Sequence, residues 1–541
     1  MRSNLTIDYF LPTRIVLKSD NIFDSNYLLN NENTQVYIGQ QDYITIKGKG
    51  FIVLDFGEEL QGGVRILTHR FPTTYGGNIH IRFGESVDET CADLGEKNAT
   101  NHHSLRDFTI FMPHLADQMF GQTGFRFVRF DFLDDIEYRL INIYATYLHR
   151  DIQTLTTFKT NDEKINKIFN TAIHTLELNL QENLLEGVKR DRLVWIGDMQ
   201  PEVLAYSYLY TDYAIVKKAI EDSLNFNPLP CWFGRIPTYS FWLIDILNIY
   251  LDNTDDKEFV ISNFSYIEGV INQLNLCVDY NGEIDYAKCE ADVREGFFFD
   301  WPTNGTVDAK EGNRYIFIYT LNHYLDLCKK VGKTPVKIVD DLLNRLKNKN
   351  KIDLNKKQVI ALGYLCQMLD KEETKNKLFL NGAKGLSTFF SYFIFKAMSL
   401  VGEMSDTLNL LKEFYGAMID RGATSFWEDF DIDWLKNSGR IDEITPSNQL
   451  SLHGDFGAYC YKGFRHSLSH GWSVGPISFL IEDVLGYKLN GHVVTFKPNL
   501  GFLDYIDASI NTHFGLIKVH VDKTSLKVET PPSLIYQENH D

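Results

Sequence analysis

The chain lacks most of the features that would place it quickly. Its seven cysteines among 541 residues, at 91, 231, 277, 289, 328, 366 and 460, are odd in number, scattered, and form no Cys-x-x-Cys pair. This offers neither a disulfide framework nor a zinc clip, and it predicts buried free thiols in a reducing compartment. No run of about 18 apolar residues occurs, so no membrane-spanning helix is expected, and the opening MRSNLTIDYFLPTRIVLKSD has no apolar core of the signal-peptide kind. The expected location is cytoplasmic. Basic runs are missing too: 54 Lys+Arg stand against 72 Asp+Glu, a net charge of -18 that repels phosphate backbones and anionic lipid. Neither nucleic acid nor membrane is an expected partner.

Several catalytic signatures are absent as well. There is no G-x-S-x-G elbow, no P-loop and no G-x-G-x-x-G after a strand. His466 and His470 are one helical turn apart in HSLSH, but no glutamate lies between them and no third ligand is evident, so no metal is expected. No low-complexity tract and no clear repeat interrupts the chain.

What is present is apolar and aromatic bulk. A content of 44% hydrophobic and 13% aromatic residues is ample for the cores of roughly two to four domains. From about 35 to 150 the apolar pattern has period two: Ile79, Ile81 and Phe83 share a face, while Phe125 and Phe127 slip by one to Val128, Phe130 and Phe132, as a β-bulge would require. Residues 1–153 are therefore expected to form a β-sandwich. Near 160 the period becomes helical, with Thr160 and Glu163 as a capping box and Ile165, Ile168, Phe169, Ala172 and Leu176 on one face. Helical patterns then recur at 199–210, 213–226, 238–254, 257–276, 312–331, 335–348, 356–370, 388–402, 405–421 and 472–486, approaching a dozen with shorter candidates. That number suits helical hairpins closed into a ring over 154–487. The two-residue period returns in IKVHVD, and 488–541 is expected to be a small β-domain.

All seven tryptophans fall in the helical segment, and several adjoin acids, in RDRLVWIGD, FFFDWP and SFWEDFDIDW. Aromatic faces beside carboxylates suit a sugar, whose C–H faces pack on rings while its hydroxyls bond to acids. Each acid also has an ordinary reading. Glu428 lies past a helix that stops at Gly422 and could be a surface acid; Asp198 precedes MQPEVLAYSYLY and is a natural N-cap; Asp191 sits between Arg190 and Arg192 and could be ion-paired.

The run EGVKRDRLVWIGD, with GATSFWEDFD and SLSHGWSVGP, resembles bacterial α-L-rhamnosidases of glycoside hydrolase family 78. FIVLDFGEELQGGVRI, IHIRFGES and TGFRFVRF look like that family's β-sandwich, and TFKP like the start of its terminal β-domain. The resemblance implies an (α/α)6 barrel, inversion of configuration and no organic cofactor. Carried over by motif, it makes Asp191 the general acid and Glu428 the general base, with Glu186, Arg190, Trp195, Asp198, Asp300, Trp301, Trp427 and His470 in the substrate site. Three departures stand out: Gly187-Val188 replaces Cys-Pro, Val194 replaces a glycine, and the acid is Asp191 where many members have Glu.

The function implied is that of an inverting, exo-acting α-L-rhamnosidase on small glycosides, and the resemblance allows a homodimer. The alternatives are another glycosidase or a lyase on the same barrel, or a sugar-binding protein without turnover, because a fold does not fix a substrate.

Overall fold

A computed structural model describes residues 3–289, 298–348, 352–458 and 461–538. The chain divides into two units that interleave in sequence: one of Met1–Asp151, Glu177–Leu193 and Met418–His470, the other of Ile152–Leu176, Val194–Ala417 and Gly471–Asp541. The sandwich segment 1–153 thus gathers two later pieces of chain, and the C-terminal strands of 488–541 belong with the helices.

The first unit is built on a nine-stranded sheet whose pairings are all antiparallel. Its spine is the strand Gly50–Thr68, which pairs with Asp117–Phe132. On its other edge it pairs first with Arg14–Lys18 and then, from Gly62, with Glu137–Arg150. The change of neighbour coincides with a register shift: Phe127 faces Asp55, yet Phe125 faces Leu60. The slip read in FRFVRFDF is therefore real, and the extra residues lie in the facing strand. Phe125, Val128, Phe130 and Phe132 join one core with Ile79, Ile81 and Phe83, whereas Phe127, equally buried, is outside that cluster. Only glycine fits at 62, where φ is +155° and a Cβ would fall 1.8 Å from the Thr146 carbonyl oxygen.

The second unit carries a ring of helices. Met199–Leu209 packs on Pro237–Thr254, that on Val307–Val331, that on Lys357–Leu365, that on Ser391–Val401, that on Gly475–Phe479, and the last again on Met199–Leu209. Of these, Met199–Leu209, Pro237–Thr254, Lys357–Leu365, Ser391–Val401 and Gly475–Phe479 are buried around most of their circumference. Between them in sequence lie amphipathic helices with one buried stripe, such as Ala214–Phe226 and Ile338–Lys347. Alternation of inner and outer helices gives the expected (α/α)6 arrangement. The pattern at 257–276 is two helices, Lys257–Ser262 and Phe264–Cys277, and that at 472–486 shrinks to Gly475–Phe479 followed by a wider turn.

Three expectations are corrected. Glu163–Asn179 is capped by Asp162, whose carboxylate accepts from the backbone N–H of Lys164 and Ile165, while Thr160 accepts from Asp162 N–H and sits in a strand, Thr157–Thr160, that pairs with the C-terminal strand Tyr505–Thr512. The cysteines are not all free: Cys277 and Cys289 are bonded, their Cα atoms 5.7 Å apart, because the chain turns back between them through a bridge from Val278 to Ile284. Nor are the free ones all buried, since Cys231 is exposed and Cys91 half-buried; Cys460 is outside the described residues. Among the described residues no helix is long and apolar enough to cross a membrane.

Candidate active site

The segment KRDR is a tight loop in the first unit, closed by an antiparallel bridge between Glu186 and Leu193. Its carbonyls are accounted for one by one. Arg192 N–H donates to the Glu186, Gly187 and Arg190 oxygens, Gly124 N–H to Val188, the Ser104 hydroxyl to Lys189, and His103 Nδ1 lies 3.0 Å from the Asp191 oxygen. Gly187 replaces the bulkier family residue for a visible reason: φ is +68°, and a Cβ there would meet the Arg190 oxygen at 2.4 Å. Asp191 and Arg192 are themselves left-handed, at φ 65° and 49°, a conformation that costs non-glycine residues about 1 kcal/mol or more each. The closed hydrogen bonding of the loop holds them there.

Beneath the loop, Lys189 is buried with its ammonium 2.9 Å from Glu85 Oε2 and 3.1 Å from Glu89 Oε1, donating also to the Phe464 and His466 carbonyls at 3.0 and 2.7 Å. Glu85 in turn accepts from Leu468 N–H. Burial pushes the Glu85 carboxyl up to about 7, with Lys189 opposing the shift and Glu89 adding to it. One ammonium therefore ties the KRDR loop to Glu85 and Glu89 and to the carbonyls of Phe464 and His466.

Arg190 performs the complementary task above. It is 4% exposed, lies over the Tyr461 ring at 4.1 Å, donates to Asp191 Oδ1 at 2.9 Å and grips Glu428 Oε1. Glu428 and His470 come from neighbouring segments joined by backbone bonds: Glu428 N–H to the Ser467 oxygen at 3.1 Å, and His470 N–H to the Phe426 oxygen at 3.0 Å. His470 Nδ1 is 2.8 Å from Glu186 Oε2 and its Nε2 is 3.4 Å from Glu428 Oε1. Glu186, Arg190, Asp191, Glu428 and His470, placed together by motif alone, thus meet in one cluster.

Oxygens of Asp191 and Glu428 lie within 4.8 Å of each other. Adding a C–O bond of about 1.23 Å at each end puts the carboxyl carbons at most about 7.3 Å apart. The arginine draws the pair together, so most of the expected range of roughly 6.5 to 9.5 Å is unoccupied and the spacing sits at its lower edge or below.

Electrostatics separates the members. Burial raises the Glu428 carboxyl to about 7; Arg190 pulls it back down and Asp191 pushes it up. His470 is held well below the ordinary imidazole value, first by burial and then by Arg190, and is neutral. Asp429 is raised to about 6 by burial, and its N–H donates to His466 Nε2 at 2.9 Å. Among the described residues, two groups of possible metal ligands lie wholly within the first unit, Asp191–Glu428–His470 and Glu85–Glu89–His453, but in each a side-chain cation, Arg190 or Lys189, already occupies the carboxylates.

The second unit holds the remaining residues in an aromatic chain. Trp195 stands edge-on to Tyr239 at 6.0 Å, Tyr239 to Phe298 at 5.7 Å, Phe298 lies 4.9 Å from Trp301 and stacks on Phe389, and Phe389 stacks on Trp472 at 4.8 Å. Asp198 precedes its helix as expected but makes no capping bond; its carboxylate accepts instead from the Tyr239 hydroxyl. Asp300 accepts from the Ser387 hydroxyl at 2.6 Å. Trp195 and Trp301 are half-buried, whereas Trp242 is a core residue among Tyr319, Phe390 and Phe393. Trp232 is buried too, and its indole donates to the Cys289 oxygen. In the first unit Trp427 is 1% exposed and packs edge-on to Phe430.

Sequence reasoning missed Lys189, Glu85, Glu89 and Tyr461. A signal existed for the first two, because FGES places a glutamate at the end of an apolar strand and KRDR contains two more cations than its one acid needs.

Residues 153–275 match the family described as the bacterial alpha-L-rhamnosidase 6 hairpin glycosidase domain. Among solved structures, a family 78 rhamnosidase of Bacillus sp. GL1 is similar at 18% identity and TM-score 0.72, over 91% of this chain and 53% of that one. A Klebsiella oxytoca rhamnosidase with rhamnose bound is similar at 17% and 0.67, over 88% and 95%. A Streptomyces avermitilis alpha-L-rhamnosidase complexed with L-rhamnose is similar at 14% and 0.68, over 99% and 50%. The chain thus spans about half the length of the Bacillus and Streptomyces proteins and nearly all of the Klebsiella one. No curated protein matches. The resemblance carried by KRDRLVWIGD, SFWED and SLSHGW is therefore supported at the level of fold: residues 153–275 match that six-hairpin domain, and the chain has the fold of these rhamnosidases.

Proposed function

We propose that this protein hydrolyses terminal α-L-rhamnosides, with Asp191 protonating the leaving oxygen and Glu428 deprotonating the attacking water. The observation that carries this reading is the pair itself: two carboxylates, from motifs 237 positions apart (428 minus 191), held by a single guanidinium. Glu428 is raised to about 7, near the pH at which a base both ionises and accepts a proton effectively. Arg190 keeps both acids oriented while burial excludes water from their charges. Rhamnose, like other 6-deoxyhexoses, carries a methyl in place of CH2OH and suits a pocket with apolar walls. His470, 3.4 Å from Glu428, is the hydroxyl-binding group beside the pair. A homodimer and a cytoplasmic location complete the reading.

The short spacing gives one specific ground for a second reading, in which Glu428 attacks the sugar directly and configuration is retained, as carboxyls about 5 to 5.5 Å apart allow. The substrate class is tested with a panel of nitrophenyl glycosides. The α-L-rhamnoside should be hydrolysed at least about 100-fold faster than the α-L-fucoside, β-D-glucoside or α-D-mannoside. A faster rate on any of these reassigns the sugar, and tight rhamnose binding with no turnover of any glycoside would leave only a binding protein.

A further inference from the structure

Around Asp191 lies a connected set of cationic and imidazole side chains that the reaction above does not use. His103 touches the Asp191 carbonyl at 3.0 Å, its ring meets that of His102 at 4.0 Å between centroids, and Arg465 Nη2 comes within 3.4 Å of His102 Nδ1. Arg192, next after Asp191, contributes a second guanidinium, anchored to the Gln122 carbonyl. The two histidines are exposed and the two arginines half-buried.

The patch lacks counter-charge. Several other partly buried arginines of the same unit have acids in contact, Arg65 with Asp117, Arg129 with Asp131 and Arg139 with Glu137, while Arg150 and Arg421 donate to carbonyl oxygens. Among the described residues Arg192 and Arg465 have none, in a protein with 72 acids and a net charge of -18. Burial lowers the Arg192 pKa with no neighbouring acid to restore it. His102 is lowered by burial and then by His103, Arg465 and Arg190, with Asp191 alone opposing. Arg465 Nε is buried without a hydrogen-bond partner among the described residues. Desolvating a cation without a partner is costly, and such arrangements concentrate where a ligand supplies the missing charge.

The position fixes which part of a substrate would supply it. A general acid faces the glycosidic oxygen, so groups clustered on Asp191 border the leaving group and not the departing rhamnose. A guanidinium fork matches a planar carboxylate with two parallel hydrogen bonds, and an adjacent imidazole can add a third. We infer that His102, His103, Arg192 and Arg465 form a leaving-group subsite for a carboxylate, and that the preferred substrate is L-rhamnose α-linked to a uronic acid. The inference rests on the rhamnosidase reading above. The shared chemistry is an anionic leaving group, and a sulfated sugar is the other source of it.

The test compares kcat/KM for rhamnosyl-glucuronic acid, its methyl ester and rhamnosyl-glucose 6-sulfate, in wild-type protein and in Arg465→Gln, Arg465→Lys and Arg192→Gln. At about 10 mM salt, where charges act over about 30 Å, the acid should exceed the ester by about tenfold or more, and the advantage should shrink at 1 M, where the range is about 3 Å. Arg465→Gln and Arg192→Gln should bring the acid-to-ester ratio toward one, while Arg465→Lys should keep most of it. Because the readout is a ratio within each variant, a general loss of stability does not imitate it. Equal rates on acid and ester, a ratio unmoved in both glutamine variants, or sulfate ahead of carboxylate would overturn the inference while leaving the rhamnosidase reading intact. No hydrolysis of these compounds or of any nitrophenyl rhamnoside would overturn both.

Discussion

Asp191→Asn is expected to slow hydrolysis of an alkyl or flavonoid rhamnoside by about 100- to 10,000-fold and to cost far less on a dinitrophenyl rhamnoside, whose phenolate departs without a proton. Glu428→Gln should impair both substrates to a similar extent, because it acts on the water. The pH profile adds an independent readout. Glu428 must be ionised to accept a proton, and burial raises its carboxyl to about 7, so wild-type kcat/KM should rise with pH through a limb near 7 that disappears in Glu428→Gln. Equal damage from Asp191→Asn on both leaving groups, with selective damage from Glu428→Gln on the poor one, would exchange the two roles. Normal rates in both variants would remove both residues from the chemistry and turn attention to Glu186 and Asp198.

The largest expected effect on stability comes from Lys189→Met. The ammonium stands against Glu85 and Glu89, and its loss would leave two buried carboxylates facing each other without a cation, an arrangement that typically costs about 3–5 kcal/mol. The sign of the pH dependence follows. Removing the lysine takes away the main influence that lowers the Glu85 carboxyl, already at about 7, and so raises it further above the unfolded value near 4.5. A carboxyl raised on folding is harmless below the unfolded pKa, costs stability as pH climbs from the unfolded value to the folded one, and exacts the full cost above it. Denaturant unfolding should therefore show a larger deficit for Lys189→Met at pH 8 than at pH 5, and Glu89→Gln should recover part of it in the double variant. A deficit of the same size at both pH values would mean that Lys189 contributes packing and not charge.

How much of this was legible beforehand depends on whether an interaction is local. The ring of helices could be read because each helical period, as in Met199–Leu209, Pro237–Thr254 or Ala214–Phe226, is carried within a single stretch of chain and the patterns could be counted. The slip at Phe127 was visible as a break of phase, but its compensation in the strand after Asp55 was not, because pairing across a sheet leaves no mark in the strand opposite. Asp198 looked like an N-cap, and a tyrosine 41 residues away claims its carboxylate instead. The bond between Cys277 and Cys289 was missed because a turn of irregular chain has no periodicity to betray it. At the site, Asp191 and Glu428 came from short motifs. The cations that govern them, Arg190 by direct grip and Lys189 from below, were legible only as charge, since their partners lie 238 and about 100 residues away in sequence.

The central claim is that Asp191 and Glu428 cut an α-L-rhamnoside by attack of water from the face opposite the leaving group. Proton NMR of a fresh reaction, recorded before the released sugar equilibrates, tests it most directly. The account predicts that β-L-rhamnose is the first product and that the α-anomer follows only by mutarotation; α-L-rhamnose as the first product would contradict it and make Glu428 a nucleophile.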